Sequence, residues 1–159
     1  MSEKFTLEQI GVLHSPYTDP MQTPIQSVFA KSRGTIEIFP EFVKGLDQIE
    51  SFSHLILITR LHKAPSEMLV ETPMVDGGVS HGIFATRHMC RPNRIGFSIV
   101  KLLSVTENNL VVEGLDLLDG TPVLDVKPYI PEFDAVLDAS SGWLSSQHLE
   151  NIRKKSQSL

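Results

Sequence analysis

"IGFSIVKLLSVTENNLVVEGLDLLDGTPVLDVKPY", Ile95 to Tyr129, decides the fold. It contains three apolar segments, "IGFSIVKLLSV", "LVVEGLDLL" and "VLDVKPY", separated by the polar turns "TENN" and "DGTP". Each segment is rich in β-branched and large apolar residues and is too short for a packed helix, so each reads as a strand. Asp119-Gly120 is the residue pair expected of a hairpin turn, and Pro128 limits the last strand because it cannot donate to a ladder.

The same pattern extends toward the N-terminus. "FTLEQIGVLH" reads as a strand ending at Ser15-Pro16, "GTIEIFP" as a short alternating strand, and "SHLILITRLH" as a buried one. "EFVKGLDQIESF" fits one or two helical turns, and "GIFATR" alternates and reads as a strand that ends at Arg87. Two Pro- and Gly-broken stretches, residues 18–32 and 63–82, read as long loops, which in a compact domain are usually functional. Near the C-terminus, "SSQHLENIRKKSQSL" has an N-cap serine at Ser145 or Ser146 and basic residues late, so it reads as a helix. The fold expected is mainly β: a single-domain barrel or sandwich with long loops, residues 1–140, followed by a helical tail, residues 141–159.

Composition narrows the function. The 159 residues are 41% apolar with a formal net charge of −5, which suits one soluble domain and argues against a broadly basic nucleic-acid surface. The longest clean apolar run, Leu55–Ile58, is far below the ~20 residues of a membrane helix. No secretory leader precedes the first strand, and the lone Cys90 excludes an internal disulfide and a cysteine-rich zinc site, so a reducing cytoplasm is the expected location. No Walker loop, no GxGxxG between strand and helix, no HExxH and no GxSxG are present. No metal site is expected.

Two polar clusters stand out. "ATRHMCRPNRIG" puts Arg87, His88, Arg91 and Arg94 on a segment stiffened by Pro92. Pro92 holds Arg91 extended, Asn93 tolerates unusual backbone angles, and Gly96 allows close approach. Such arginines suit a carboxylate or phosphate, or they pair with the chain's 19 acidic residues. In the second cluster, Asp125, Lys127 and Tyr129 share one strand face by period two. That face is either solvent or a site, and periodicity does not say which.

"QIGVLHSPY", "GLDQIESFSHLILI", "GIFATRHMCRPNRIGFSIVKL" and "LDLLDGTPVLDVKPY", in that order from Phe5 to Tyr129, resemble the TrmO family, also called TsaA-like or YaeB-like. The resemblance implies a β-barrel, usually a homodimer, that binds S-adenosylmethionine without a Rossmann fold. It also implies N6-methylation of threonylcarbamoyladenosine at position 37 of tRNA. A cofactor-binding module without catalysis and a methyltransferase for a different, small substrate are the alternatives. Carried over by motif, the cofactor region includes Gln26, Ser27 and Val28 of the first long loop, His62 and Lys63, Arg87, and Leu115, Asp116, Leu117 and Leu118. Arg91 and Arg94 are expected at RNA phosphates. Asp125 or Tyr129 is the expected acceptor of the substrate's proton, with Lys127 beside them. The chain departs from the family pattern at Ile25, in place of an arginine, at "HMC" before Arg91, and at Arg94, in place of a proline. These departures touch the substrate side more than the fold.

Overall fold

A computed structural model describes all 159 residues. Six strands, each antiparallel to its neighbours, close into a barrel in the order β1 (Gly11–His14), β2 (Arg33–Ile38), β7 (Asn109–Glu113), β6 (Ile95–Thr106), β3 (His54–Arg60) and β8 (Thr121–Pro128), with β8 returning to β1. The barrel expected from the sequence is therefore present. Closure leaves the barrel strands no free sheet edge over their paired lengths. Alternation fills the interior: Leu13, Ile36, Leu55, Leu57, Val100, Leu110, Val112 and Val123 are almost fully buried in one apolar cluster. Removing a Leu from such a core to Ala typically costs about 2–5 kcal/mol.

Two bulges let the short barrel close. The β6–β7 register shifts across Leu103, and the β3–β8 register shifts across Leu124. The second shift keeps Val123 and Val126 both on the core side, opposite Thr59 and Leu57. A bulge increases local twist and bends the strand, which a six-stranded closure needs.

Three expectations need correction. "GIFATR" is not a strand: after a two-residue ladder between β4 (Val70–Glu71) and β5 (His81–Gly82), Ile83–Ala85 form a 3-10 turn. Only Ile83 is buried while Phe84 is 76% exposed, so the alternation there has no sheet to face. The Thr86 hydroxyl donates to the Ile83 carbonyl and closes the turn locally. The stretch 63–82 is not all loop, since the small β4–β5 ladder lies within it. Asp119-Gly120 does form a turn, with Gly120 at φ 75°, but the strands before and after it do not pair. Residues Gly114–Leu118 first cross the barrel end, so the chain leaves β7 beside β6 and returns as β8 between β1 and β3.

The expected helical turns are 3-10 turns at Pro40–Leu46 and Ile49–Ser51. A short α1 (Pro131–Asp134) precedes the expected C-terminal helix, α2 (Ser146–Gln157). Ser145 caps α2 through a reciprocal pair: its hydroxyl accepts from His148 N–H, and His148 Nδ1 accepts from Ser145 N–H.

Candidate functional site: a cleft where two loops meet the barrel wall

The β6–β7 ladder stops at Lys101 opposite Glu113, so β6 from Ile95 to Val100 lacks a strand partner on that side. Two segments fill the gap, Gly114–Leu118 and the turn at Ser27–Phe29. Gly114, at φ 92°, turns the chain out of β7, and its N–H donates to Ser32 O. Asp116 then lies beneath the opening. The 3-10 turn Ser27–Phe29 closes over it, with Ser27 Oγ accepting from Ile99 N–H at 3.3 Å.

Asp116 ties these segments together. One carboxylate oxygen accepts from the Ser98 hydroxyl at 2.6 Å, and the other accepts from Ser27 N–H at 3.0 Å. Burial pushes its carboxyl up to about 6, while the two hydrogen bonds and the positive charge of Arg87 pull the other way. A carboxylate so enclosed holds the 26–29 turn against β6.

Above this latch lies a cleft of about 420 Å³, within the range of small-molecule sites. It is lined by Gln26, Ser27, Val28, His54, Arg87, Phe97, Ile99 and Tyr129. Arg87 spans the two loops: its Nη1 donates to Gln26 Oε1 at 3.1 Å, and its guanidinium stands 6.0 Å from the centre of the Phe97 ring. The His54 and Tyr129 rings meet edge to face at 6.5 Å. The cleft thus offers a guanidinium fork, an amide, and aromatic and aliphatic walls.

Five residues expected from the sequence converge here: Gln26, Ser27, Val28, Arg87 and Tyr129. Asp116 lies directly behind them. Leu115 and Leu117 sit in the barrel core, and Leu118 packs against it, so their side chains support the cleft's floor from within. Asp125 and Lys127 form an ion pair at 2.7 Å and are not among the lining residues. His54, Phe97 and Ile99 escaped the sequence reading. Phe97 and Ile99 alternate with the buried Ser98 and Val100, and that outward apolar pair was the available clue.

His62 and Lys63 lie elsewhere, at the end of β3. There Leu61 N–H donates to Arg94 O at 2.8 Å, bringing Arg60, His62 and Lys63 beside Arg94. Desolvation, then the charges of Lys63 and Arg60, lower the His62 pKa. Arg91 braces the turn before it: its Nη1 donates to Thr86 O at 2.9 Å. Arg94 has its Nε 3.9 Å from Glu67 Oε1, within reach of attraction and too far for a hydrogen bond. The loop geometry expected around them is present: Arg91 is extended, and Asn93 has φ 65°. A Cβ on Gly96 would lie 2.5 Å from Thr59 Oγ1.

No group of three or more candidate metal-ligating side chains is present. No helix is long and apolar enough to cross a membrane.

Known proteins resemble this chain in sequence and in shape. A probable S-adenosyl-L-methionine-binding protein of Pyrococcus abyssi is 48% identical over 146 residues, covering 91% of this chain and 77% of its own length. The tRNA (adenine(37)-N6)-methyltransferase of Escherichia coli is 37% identical over 155 residues, covering 89% of this chain and 65% of its own. The crystal structure of TrmO from Pseudomonas aeruginosa superposes with a TM-score of 0.75 at 38% identity, over 88% of this chain and 62% of that one. The chain therefore spans less than two thirds of the E. coli and P. aeruginosa proteins. Residues 12–135 match the model of the tRNA-methyltransferase O N-terminal domain, so the chain belongs to the TrmO family of S-adenosylmethionine-dependent methyltransferases.

Proposed function

We propose that the cleft between the 26–29 turn and Arg87 binds S-adenosylmethionine and that the chain transfers its methyl group to N6 of threonylcarbamoyladenosine at position 37 of tRNA. The observation that carries this reading is the convergence of Gln26, Ser27, Val28 and Arg87, up to 61 residues apart, in one cleft with Tyr129. The lining suits the cofactor's chemistry. Arg87 offers its carboxylate a guanidinium fork. Phe97, Ile99 and Tyr129 offer apolar and aromatic faces to an adenine ring. The buried Asp116 supplies negative charge behind the cleft for the cationic part.

The bound cofactor supplies a methyl already activated by its sulfonium: the N6–carbon bond forms as the carbon–sulfur bond breaks, and N6 gives up one proton. The protein's task is alignment, for which a well-held geometry lowers the barrier by several kcal/mol. Of Asp125, Lys127 and Tyr129, only Tyr129, just past the end of β8, lines the cleft, and its hydroxyl oxygen is the proposed acceptor that relays the N6 proton to solvent. Lys127 neutralises Asp125 beside it. The edge formed by Arg60, His62, Lys63 and Arg94 is the proposed contact for RNA phosphates in an otherwise acidic chain. A second copy is the proposed cover for the exposed Val28 and Phe97 of the cleft and for Phe84, three residues before Arg87, giving a homodimer. A tRNA substrate implies work in the cytoplasm.

Calorimetric titration with S-adenosylmethionine tests the cofactor half of this reading, and light scattering at micromolar concentration tests the dimer. Saturable binding without transfer to any tRNA would leave a cofactor-binding module instead of an enzyme.

A further inference from the structure

Residues beyond 135 lie outside the family match, yet they touch both loops that line the cleft. At one end, Trp143 donates from Nε1 to Ala85 O at 2.9 Å, two residues before Arg87. Its ring stacks on His81 with centroids 4.1 Å apart and planes 17° from parallel. Asp76 receives both histidines of this corner, His81 through Oδ2 at 2.5 Å and His148 of α2 through Oδ1 at 3.3 Å. Because His148 Nδ1 already accepts from Ser145 N–H, its Nε2 is the nitrogen left to donate to Asp76.

At the other end, Ser156 is 2% exposed, and its Oγ accepts from Ile25 N–H at 3.1 Å, one residue before Gln26. Arg153 stands over the Phe29 ring at 5.2 Å, and Ile152 is buried beneath. A 12-residue helix is about 18 Å long. Helix α2 and the short turn before it are thus anchored by Trp143 and His148 near Arg87 and by Ser156 next to Gln26. The only direct bond between those two loops at the cleft is the exposed pair of Arg87 and Gln26, which by itself contributes little.

We propose that Trp143–Ser156 is a strap whose Trp143 and Ser156 are positioning residues: it fixes the 83–87 segment and the 25–29 turn in one relative arrangement and so sets the affinity of the cleft. The proposal rests on the cleft being the cofactor site, but the strap's mechanical role does not depend on the ligand's identity. The predicted signature is coupling along the helix. Loosening one anchor frees the loop at that end and also the loop at the far end.

The test is amide hydrogen exchange on the full chain without ligand, combined with calorimetric titration of S-adenosylmethionine. Three variants are compared: Trp143→Ala, Trp143→Phe, which keeps a ring against His81 but loses the donor, and Ser156→Ala at the opposite end. The structure predicts faster exchange at both 83–87 and 25–29 in Trp143→Ala and in Ser156→Ala, with Leu55–Leu57 of β3 unchanged. Cofactor Kd rises about tenfold in Trp143→Ala and less in Trp143→Phe. Faster exchange confined to the mutated end, with an unchanged Kd, overturns the strap. If wild type binds no S-adenosylmethionine while the exchange pattern shows coupling, the cofactor assignment fails and the strap stands.

Discussion

Asp116→Asn isolates the energetic consequence of burying a carboxylate under the cleft. The carboxyl rises from its ordinary 3.8 to about 6 in the folded chain. The folded state therefore holds the proton more tightly than the unfolded state. Well below pH 3.8 both states are protonated, and the group is neutral in its effect. As pH rises through the window between 3.8 and 6, the unfolded chain ionises first, and stability is lost. The folded carboxyl binds its proton about a hundredfold more tightly, and each factor of ten is worth about 1.4 kcal/mol, so the full loss above pH 7 is about 3 kcal/mol. Asparagine has nearly the same shape. Its oxygen can accept from Ser27 N–H and its amide can donate to Ser98 Oγ, because the hydroxyl can turn to accept. The other titrating groups are common to both proteins and cancel in the comparison. Urea unfolding of both proteins at about pH 4.5 and pH 7 should show the stability of Asp116→Asn relative to wild type rising by about 2 kcal/mol between those two values. A difference independent of pH would mean that Asp116 ionises normally in the fold and that the latch is open to water. Asp116→Ala, by contrast, leaves Ser27 N–H and Ser98 Oγ without their acceptor and should cost about 2–4 kcal/mol at about pH 4.5, a cost that shrinks by the same ~2 kcal/mol at pH 7 because alanine, like asparagine, does not titrate.

Arg87→Ala should weaken S-adenosylmethionine binding about tenfold or more through the loss of a charge-assisted contact, with little change in melting temperature because the side chain is exposed; calorimetry and a thermal melt check both. Gly96→Ala should destabilise the fold by about 1–3 kcal/mol, since the new Cβ would lie 2.5 Å from Thr59 Oγ1 and 2.9 Å from Leu61 Cδ2; urea unfolding measures it. Arg94→Ala should flatten the slope of log tRNA affinity against log salt by about 0.7–0.9, one phosphate's share. Arg91→Ala should release Thr86 O and raise exchange in the 83–87 turn, since its Nη1 donates there.

The barrel strands were legible from alternation between turn residues, as in Arg33–Ile38 and Ile95–Thr106, and for β3 from a short continuous apolar run at Leu55–Leu57. Their order around the barrel was not. The crossing of Gly114–Leu118 separates β7 from β8 in space, and neither local pattern nor the Asp119-Gly120 turn encodes that. "GIFATR" misled because alternation means a strand only where one face meets a core and the backbone finds a ladder partner; here only Ile83 finds a core, and Ile83–Ala85 close into a 3-10 turn. The site was partly legible. Gln26, Ser27, Val28, Arg87 and Tyr129 meet in the cleft, whereas His62 and Lys63 project at the barrel end. Asp116 could be named from the resemblance, but a lone aspartate between leucines does not reveal that both its oxygens are taken. Trp143, Leu144, Leu149 and Ile152 give the tail the apolar side chains it needs to dock, but where it docks is a property of the tertiary fold alone.

The most direct test of the proposed activity is incubation of the full chain with methyl-labelled S-adenosylmethionine and tRNA from a strain lacking this modification, followed by nucleoside mass spectrometry. Label is expected on N6 of threonylcarbamoyladenosine at position 37, and it should fall about tenfold with Arg87→Ala at limiting cofactor. Saturable cofactor binding with no labelled nucleoside in any tRNA would contradict the proposed activity.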